Sequence, residues 1–154
     1  MSHKIADIKL ADIIIAATNA PEAVIEEFDL RSGAIVVNDA QPSDVSLEVY
    51  KRDDVLVIEG GVIKTPGIEL DFNLGLVERD DSFCCLGEAL ILAHGDFHSS
   101  EANLLDFNYL EKISKVSEKL KFGITKYQNQ FGYISEEKLN KIKEVLNNKI
   151  NGNS

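Results

Sequence analysis

Three short apolar runs lie in the first sixty residues, and each is followed by small or polar residues. The runs are Ile13–Ala17, Ala34–Val37 and Val55–Ile58. Because β-branched residues dominate them, they are predicted to be strands buried on both faces, as in a parallel sheet. Short helical connectors are predicted between them, near residues 22–28 and 44–50. This strand–helix–strand order predicts right-handed crossovers.

Beyond residue 62 the pattern changes to one edge strand or hairpin followed by helices. Residues 62–74 contain Pro66-Gly67 and an alternating apolar stretch, which is typical of an edge strand. The predicted helices are a buried one at about 83–93 capped by Ser82, a second at about 104–120 closed by Gly123, and a third begun by Ser135 and ending near 148.

Composition indicates a globular protein of one domain, or part of a larger one. The 154 residues are 44% apolar and 27% charged, and the net charge is −10. This charge disfavours a nucleic-acid binder, and no apolar run is long enough to span a membrane. Without a signal-peptide core in its first residues, the chain is expected to be cytoplasmic. The last 44 residues carry 9 basic and 5 acidic side chains, which favours either an anionic partner or, more simply, a solvated lysine-rich helix.

Ligands of open parallel sheets bind outside the carboxyl ends of the strands, so those ends are candidate binding positions. They are Ala17-Thr18-Asn19, Asn38-Asp39-Ala40 and Glu59-Gly60-Gly61. The alternative is that such residues merely form turns. Neither a G-x-G-x-x-G motif nor a P-loop occurs in the sequence. A nucleotide-binding fold would therefore be represented by its second half only.

Two adjacent cysteines, Cys84 and Cys85, lie in the first turn of the predicted helix near Ser82. Unpaired N–H groups and the helix dipole favour a thiolate there, and a thiolate attacks thioester carbons. Glu88 follows on the same side of the helix and suits a proton relay or an anchor. The alternative is a pair of buried structural cysteines.

Histidines at 94 and 98, with Asp96 and Glu101 nearby, superficially suggest a metal site. Gly95 is expected to end the helix that would align them, so no metal site is predicted.

Three stretches together resemble the distal half of the long-chain acyl-[acyl carrier protein] reductases, which form aldehydes, and of related amino-acid dehydrogenases. They are Asn38-Asp-Ala-Gln-Pro-Ser-Asp-Val45, Val55-Leu-Val-Ile-Glu-Gly-Gly61 and Phe83-Cys-Cys-Leu-Gly-Glu88. The resemblance covers residues 12–145. It implies an α/β fold: the second half of a Rossmann-like sheet, with three or four strands and short crossovers, over residues 1–80. A C-terminal helical segment at 81–150 would pack on it, before a frayed tail at 151–154.

The resemblance also implies a reaction and its residues. An acyl thioester of acyl carrier protein or CoA would pass its acyl group to Cys85, which with Glu88 matches the family's Phe-x-Cys-x-x-Glu pattern. NADPH or NADH would then deliver hydride and release a fatty aldehyde. Thr18, Asn19, Asp39, Gly60 and Gly61 would face the nicotinamide half of the cofactor. Because the glycine-rich half is not in this sequence, cofactor binding would require that half to be supplied.

Two further interpretations stay open on sequence grounds. One is a fragment of a dehydrogenase of the shikimate or amino-acid type, in which hydride transfer needs no cysteine. The other is a non-catalytic α/β module that associates through its exposed sheet edge and its basic helices, either as a homo-oligomer or with a complementary N-terminal half.

Overall fold

The computed structural model describes residues 5–72, 74–95, 97 and 107–152. Within them the chain is mixed α/β, as predicted. The strands are β1 (Ile13–Ala16), β2 (Ile35–Asn38), β3 (Leu56–Glu59), β4 (Val62–Lys64), β5 (Asp81–Phe83), β6 (Gly123–Ile124), β7 (Gln128–Asn129) and β8 (Gly132–Tyr133). The α-helices are α1 (Leu47–Lys51), α2 (Cys84–His94), α3 (Phe107–Leu120) and α4 (Glu136–Ile150). Among the described residues, no helix is both long and apolar enough to cross a membrane.

The contacts group the chain into two compact units. The first comprises the described parts of Met1–Gly60 and Tyr127–Ser154, and the second comprises those of Gly61–Lys126. These bounds differ from the predicted division at residue 80, because β4 pairs with β5 across that position.

The first unit contains the predicted parallel sheet, in the order β1-β2-β3. One face carries the core, in which Ile14, Val36 and Val57 pack against residues from the connecting segments. The segment predicted as a helix at 22–28 has only a 3-10 turn at Glu27–Asp29. Before this turn, Ile25 forms a parallel bridge with Val45, so the backbone there is extended.

The prediction that all three strands are buried on both faces is wrong for β1. Its side chains alternate, and Ile13 and Ile15 are 65% and 74% exposed. In the described part of the sheet, β1 has a neighbouring strand on one side only. The apolar composition of β1 is typical of a buried strand, but the burial of its second face depends on which elements cover that face.

Helix α4 returns to the first unit and contacts β3. Ser135 caps it as predicted, with its hydroxyl accepting a hydrogen bond from the N–H of Lys138. Lys138 Nζ and Lys149 Nζ donate to backbone carbonyls of the first unit, and Lys141 forms an ion pair with Asp53 at 2.6 Å. Several lysines of the basic C-terminal third are thus used within the chain itself.

The second unit is built on an antiparallel sheet in the order β5-β4-β6, with α3 packed against α2. The Asp81 side chain is fully buried. Its carboxylate accepts a hydrogen bond from the Thr125 hydroxyl and forms an ion pair with Lys64, so it links β5 to β4 and to the residue after β6. One boundary prediction is wrong here, because Ser82 lies in β5 rather than at a helix cap. α3 ends at Leu120 as predicted, but the positive-φ residue that follows it is Lys121, whereas Gly123 lies in β6.

Candidate functional site

The carboxyl ends of the three parallel strands are joined by a buried polar network. Asp44 is fully buried, and its carboxylate accepts hydrogen bonds from the backbone N–H and the hydroxyl of Thr18, at 2.9 and 2.5 Å. Its backbone N–H donates to the side-chain oxygen of Asn38. The backbone and hydroxyl donors of Thr18, predicted to face a cofactor, are therefore engaged in holding the turn after β1.

The last residue of β3, Glu59, belongs to the same network. Asn38, fully buried, donates from its amide nitrogen to Glu59 Oε1 at 3.3 Å, and Gln41 donates to the same oxygen at 2.9 Å. The second carboxylate oxygen, Oε2, has no hydrogen-bond partner in the described part of the chain. Two amides thus fix one oxygen and leave the other available.

The environment of Glu59 disfavours its charged form. Burial raises the pKa of the half-buried Glu59 carboxyl, and the negative charge of Asp39 adds to the rise, while the two amide hydrogen bonds oppose it. Burial also raises the pKa of Tyr50, whose hydroxyl lies 3.1 Å from that of Ser43. A carboxyl of this kind suits hydrogen bonding or proton exchange with a ligand.

The two predicted glycines are explained by the fold itself. A Cβ at Gly60 would lie 2.9 Å from Val37 Cγ1 and 3.2 Å from the Asn38 carbonyl, so only glycine fits there without displacement. Gly61 has a φ of 65°, which favours glycine in the turn between β3 and β4. Close packing and turn geometry therefore account for both residues before any ligand is considered.

The other two predicted binding residues are exposed. Asn19 lies in the loop after β1, and Asp39 follows β2 with its N–H donated to the carbonyl of Ala16. The side chain of Asn19 makes no hydrogen bond in the described part of the chain. Together with Glu59 Oε2, these groups are what the strand ends offer to a ligand.

These strand ends carry no positive charge. Residues 17–24, 39–46 and 59–61 contain the four acids Glu22, Asp39, Asp44 and Glu59, and no lysine, arginine or histidine. Phosphate groups bind to cationic side chains or helix N-termini, and negative charges repel them. This edge of the sheet is therefore suited to uncharged or cationic ligand groups.

Both cysteines lie at the start of α2 in the second unit. The helix begins at Cys84, and Phe83 at the N-cap provides no side-chain hydrogen bond to the first turn. Both thiols are exposed, so the alternative of two buried structural cysteines is wrong. Only Gly87 and Ile91 of α2 are buried, so the prediction of a buried helix is wrong for most of its residues.

Strand pairing brings the glycine turn and the cysteine helix together. Val62 pairs with Phe83, and the N–H of Cys84 donates to the carbonyl of Gly61 at 2.5 Å. Two motifs that are more than twenty residues apart in sequence are thus in direct contact. The acid of the cysteine motif, Glu88, is exposed one turn after Cys85 and forms no hydrogen bond with it.

A cavity of about 520 Å³ lies in the loop that joins β4 to β5. Apolar side chains such as Leu70 and Leu76 line it together with the acids Glu69, Asp71 and Glu78. The mixed lining gives no specific ligand chemistry.

His94 is the last residue of α2, and Gly95 ends the helix as predicted. Its proposed companions at 96, 98 and 101 lie outside the described residues. Within the described ranges, no group of three His, Cys, Asp or Glu side chains is arranged to hold a metal ion.

The strand ends predicted from the sequence include Asn38 and Glu59, but neither they nor Asp44 are among the predicted cofactor-binding residues. A signal was present: an acid or amide directly ends β2 and β3, and Asp44 follows a proline turn. A polar residue at the end of a buried strand needs a partner, which points to a network among such residues.

Comparison with known proteins gives one partial likeness, and no family model matches the chain. The chain is 31% identical over 84 residues to the aminotransferase PigE of Serratia sp. (strain ATCC 39006). The alignment covers 53% of this chain and 10% of that protein, so the chain spans about a tenth of the relative's length. The likeness is thus to a segment of an enzyme and does not single out acyl-[acyl carrier protein] reductases.

Proposed function

We propose that the chain is part of an NAD(P)H-dependent reductase that converts an acyl thioester to an aldehyde through an acyl-enzyme on Cys85. The exposure of Cys85 at the second position of α2 carries this proposal. A thioester held by acyl carrier protein or CoA must reach the nucleophile from outside. An exposed thiol at a helix N-terminus meets that need, whereas a buried one does not.

The first step forms one bond and breaks another. The thiolate of Cys85 attacks the carbonyl carbon of the thioester, the new carbon–sulfur bond forms, and the carrier thiolate leaves and takes up a proton. The acyl group is then a thioester of Cys85. NAD(P)H, when bound, supplies the hydride that reduces this thioester, and Cys85 leaves as a thiolate while the aldehyde is released.

The start of α2 also offers donors for the oxyanion of that step. The first N–H groups of a helix have no partner within the helix, and Phe83 provides no side-chain cap for them. The carbonyl of Gly61 takes up the N–H of Cys84. We assign the next N–H groups, beginning with that of Cys85, to the developing oxyanion.

Glu88 is the proposed proton relay. It lies three residues after Cys85, on the same side of α2, and its carboxylate is exposed. Cys85 must lose a proton before it attacks and the leaving carrier thiolate must gain one, and we assign the transfer between them to the Glu88 carboxylate. Glu88→Gln should therefore slow acyl transfer to Cys85 without slowing its alkylation by iodoacetamide.

The strand ends fit one half of a nicotinamide dinucleotide. Carboxylate and amide groups at Asp39, Glu59 and Asn19 are acceptors or donors for ribose hydroxyls and for a carboxamide. The absence of cationic residues from residues 17–24, 39–46 and 59–61 does not fit the phosphates. We propose that the phosphates are held by a complementary glycine-rich half.

The likeness to PigE supports this proposal only in a general way. An aminotransferase moves an amino group to or from a carbonyl compound, and an aldehyde is a carbonyl compound. A segment that forms an aldehyde is chemically compatible with a larger protein that carries such an activity.

Acyl labelling tests the nucleophile. The purified chain is incubated briefly with a long-chain acyl-CoA, digested, and mapped by mass spectrometry. We expect the acyl group on Cys85, and we expect Cys85→Ser to abolish it.

Cys84→Ser is the matched control, because Cys84 is also exposed but lies about 100° round the helix. This variant should retain acyl labelling, and iodoacetamide should reach the remaining thiol in both variants. Acyl groups on Cys84, or none on a natively folded chain whose thiols alkylate, would contradict the proposal. A dehydrogenase without a covalent intermediate would then be favoured.

One observation favours a second candidate, the non-catalytic association module. The apolar side chains Ile13 and Ile15 are exposed on a strand with one neighbour in the described sheet. This candidate predicts association that depends on β1 and not on Cys85.

A further inference from the structure

The carboxyl edge of the parallel sheet contains a group that the sequence motifs do not assign. Among the residues there, Thr18 is held by Asp44, and the two glycines are explained by packing and turn geometry. Glu59 differs from all of them, because its carboxylate is half-buried and only one of its two oxygens accepts a hydrogen bond.

The geometry around Glu59 fixes which oxygen is available. Register places Asn38 and Glu59 side by side as the last residues of β2 and β3. The amide of Asn38, which is fully buried, and the amide of Gln41 both donate to Oε1. Asn38 is itself fixed, because it also donates to the carbonyl of Ala40 and accepts from the N–H of Asp44. The hydrogen bonds to Oε1 therefore fix the position of the whole carboxylate, while Oε2 itself accepts none of them.

We propose that Glu59 Oε2 is the ligand-binding acceptor of this edge, and that it takes a hydrogen bond from a hydroxyl or carboxamide N–H of a ribosyl ligand. Asn38 and Gln41 are its positioning residues. This inference rests on the nucleotide-dependent function proposed above and deepens it by naming the group that recognises the nucleoside.

The chemistry of the edge narrows the ligand class. A carboxylate oxygen only accepts hydrogen bonds, so the ligand must bring donors, as ribose hydroxyls and a carboxamide do. Asp39 adds a second negative charge nearby, and residues 17–24, 39–46 and 59–61 contain no cation. A nucleoside therefore fits better than the corresponding nucleotide, because a phosphate would be repelled.

The elevated pKa of Glu59 is consistent with this role. Burial at the strand end disfavours the bare charge. A hydrogen bond donated to Oε2 stabilises the charged form, so ligand binding and ionisation of Glu59 support each other.

Titration of the full chain with nicotinamide riboside, followed by amide chemical shifts, tests the proposal. We expect the amide signals of Asp39, Glu59 and Gly60 to move in the millimolar range. Glu59→Gln keeps the shape and still accepts from Asn38 and Gln41, but it replaces the acceptor Oε2 by an N–H donor. The dissociation constant should rise at least about tenfold, as expected for a lost hydrogen bond to a charged group.

Glu22→Gln is the matched control, since it removes the same charge from an exposed acid in the loop after β1 and leaves Glu59 intact. It should change the dissociation constant by less than about threefold. Nicotinamide mononucleotide should bind more weakly than the riboside. Undiminished binding by Glu59→Gln, equal losses in both variants, stronger binding of the mononucleotide, or no binding by the wild type would each overturn the assignment.

The result is separable from the test of the nucleophile. Acyl labelling of Cys85 requires no nucleoside, so it reports on the proposed reaction alone. Glu59-dependent binding without acyl labelling would sustain this site and refute the thioester reaction, and the reverse outcome would refute only this site.

Discussion

Asp44 holds Thr18 through two hydrogen bonds that span 26 residues, and this pair joins the loop after β1 to the loop after β2. The Asp44 carbonyl also accepts from the N–H groups of Val24 and Ile25, so one residue secures three chain segments. The strand-end loops are thus fixed by a single fully buried carboxylate.

Removing this carboxylate should destabilise the first unit. Asp44→Ala leaves the Thr18 donors without their partner and opens a gap at a fully buried position. We expect the free energy of unfolding to fall by about 2–3 kcal/mol, the range for a buried charged hydrogen-bonding group. Urea denaturation followed by circular dichroism measures this loss.

The control for this experiment is Asp39→Ala, which removes an exposed carboxylate from the same edge. Its effect should stay within about 0.5 kcal/mol. If the two substitutions were equally mild, the network would not be what holds the strand ends.

The ionised carboxylate of Glu59 should lower the free energy of unfolding at neutral pH. Its pKa is raised in the folded state, mainly by burial, so folding disfavours the ionised form. The penalty is present above the folded pKa and vanishes below the ordinary value of 4.5. Glu59→Gln should therefore unfold at a higher urea concentration than the wild type at pH 7, and at nearly the same concentration at pH 3.5.

The sign of this effect makes it informative. If the ionised Glu59 stabilised the fold, Glu59→Gln would lower the free energy of unfolding at pH 7. Such a loss would show that the ionised Glu59 is stabilising and that the inferred penalty is absent.

The exposed face of β1 should drive association. Ile15 is 74% exposed on a strand with an unpaired side in the described sheet, and parallel sheets are normally covered on both faces. We expect dimers or larger species at micromolar protein in sedimentation velocity, and a monomer for Ile15→Lys.

Leu47→Lys is the matched control, because Leu47 is 58% exposed on α1 of the same unit. It should associate like the wild type. A wild-type chain that sediments as a monomer at all concentrations would rule out β1 as an association surface.

Binding of the intact cofactor should be weak. The acidic strand ends and the lack of a glycine-rich phosphate loop predict a dissociation constant for NADPH on the order of a millimolar or worse. Isothermal titration calorimetry with this chain checks the value, and micromolar binding would reveal a phosphate site elsewhere in the chain.

The parallel sheet was predictable because β-branched apolar runs specify it locally. Each of the three runs forms a strand within one or two residues of its predicted bounds. Ser135 likewise marks the start of α4, because a serine cap is a local signal. The exposure of Ile13 and Ile15 was not predictable, since it depends on which elements pack against the second face.

The candidate site was predictable in part. Adjacent cysteines at a helix start are a local pattern, and the structure places them there and exposes both. The contact between Gly61 and Cys84 was not predictable, because it arises from the pairing of β4 with β5. Which carboxylate oxygen of Glu59 stays available depends on the amides of Asn38 and Gln41, which lie in other segments. The hydrophobic periodicity of the sequence does not indicate these contacts.

The return of α4 to the first unit has a consequence for synthesis on the ribosome. The described parts of Met1–Gly60 and Tyr127–Ser154 form one unit, and the other unit lies between them in chain order. Ile142 of α4 is 2% exposed, and Lys149 reaches the carbonyl of Ser32. The nascent first unit therefore stays incompletely covered until the second unit and α4 have been synthesised. During that interval chaperones have access to its sheet.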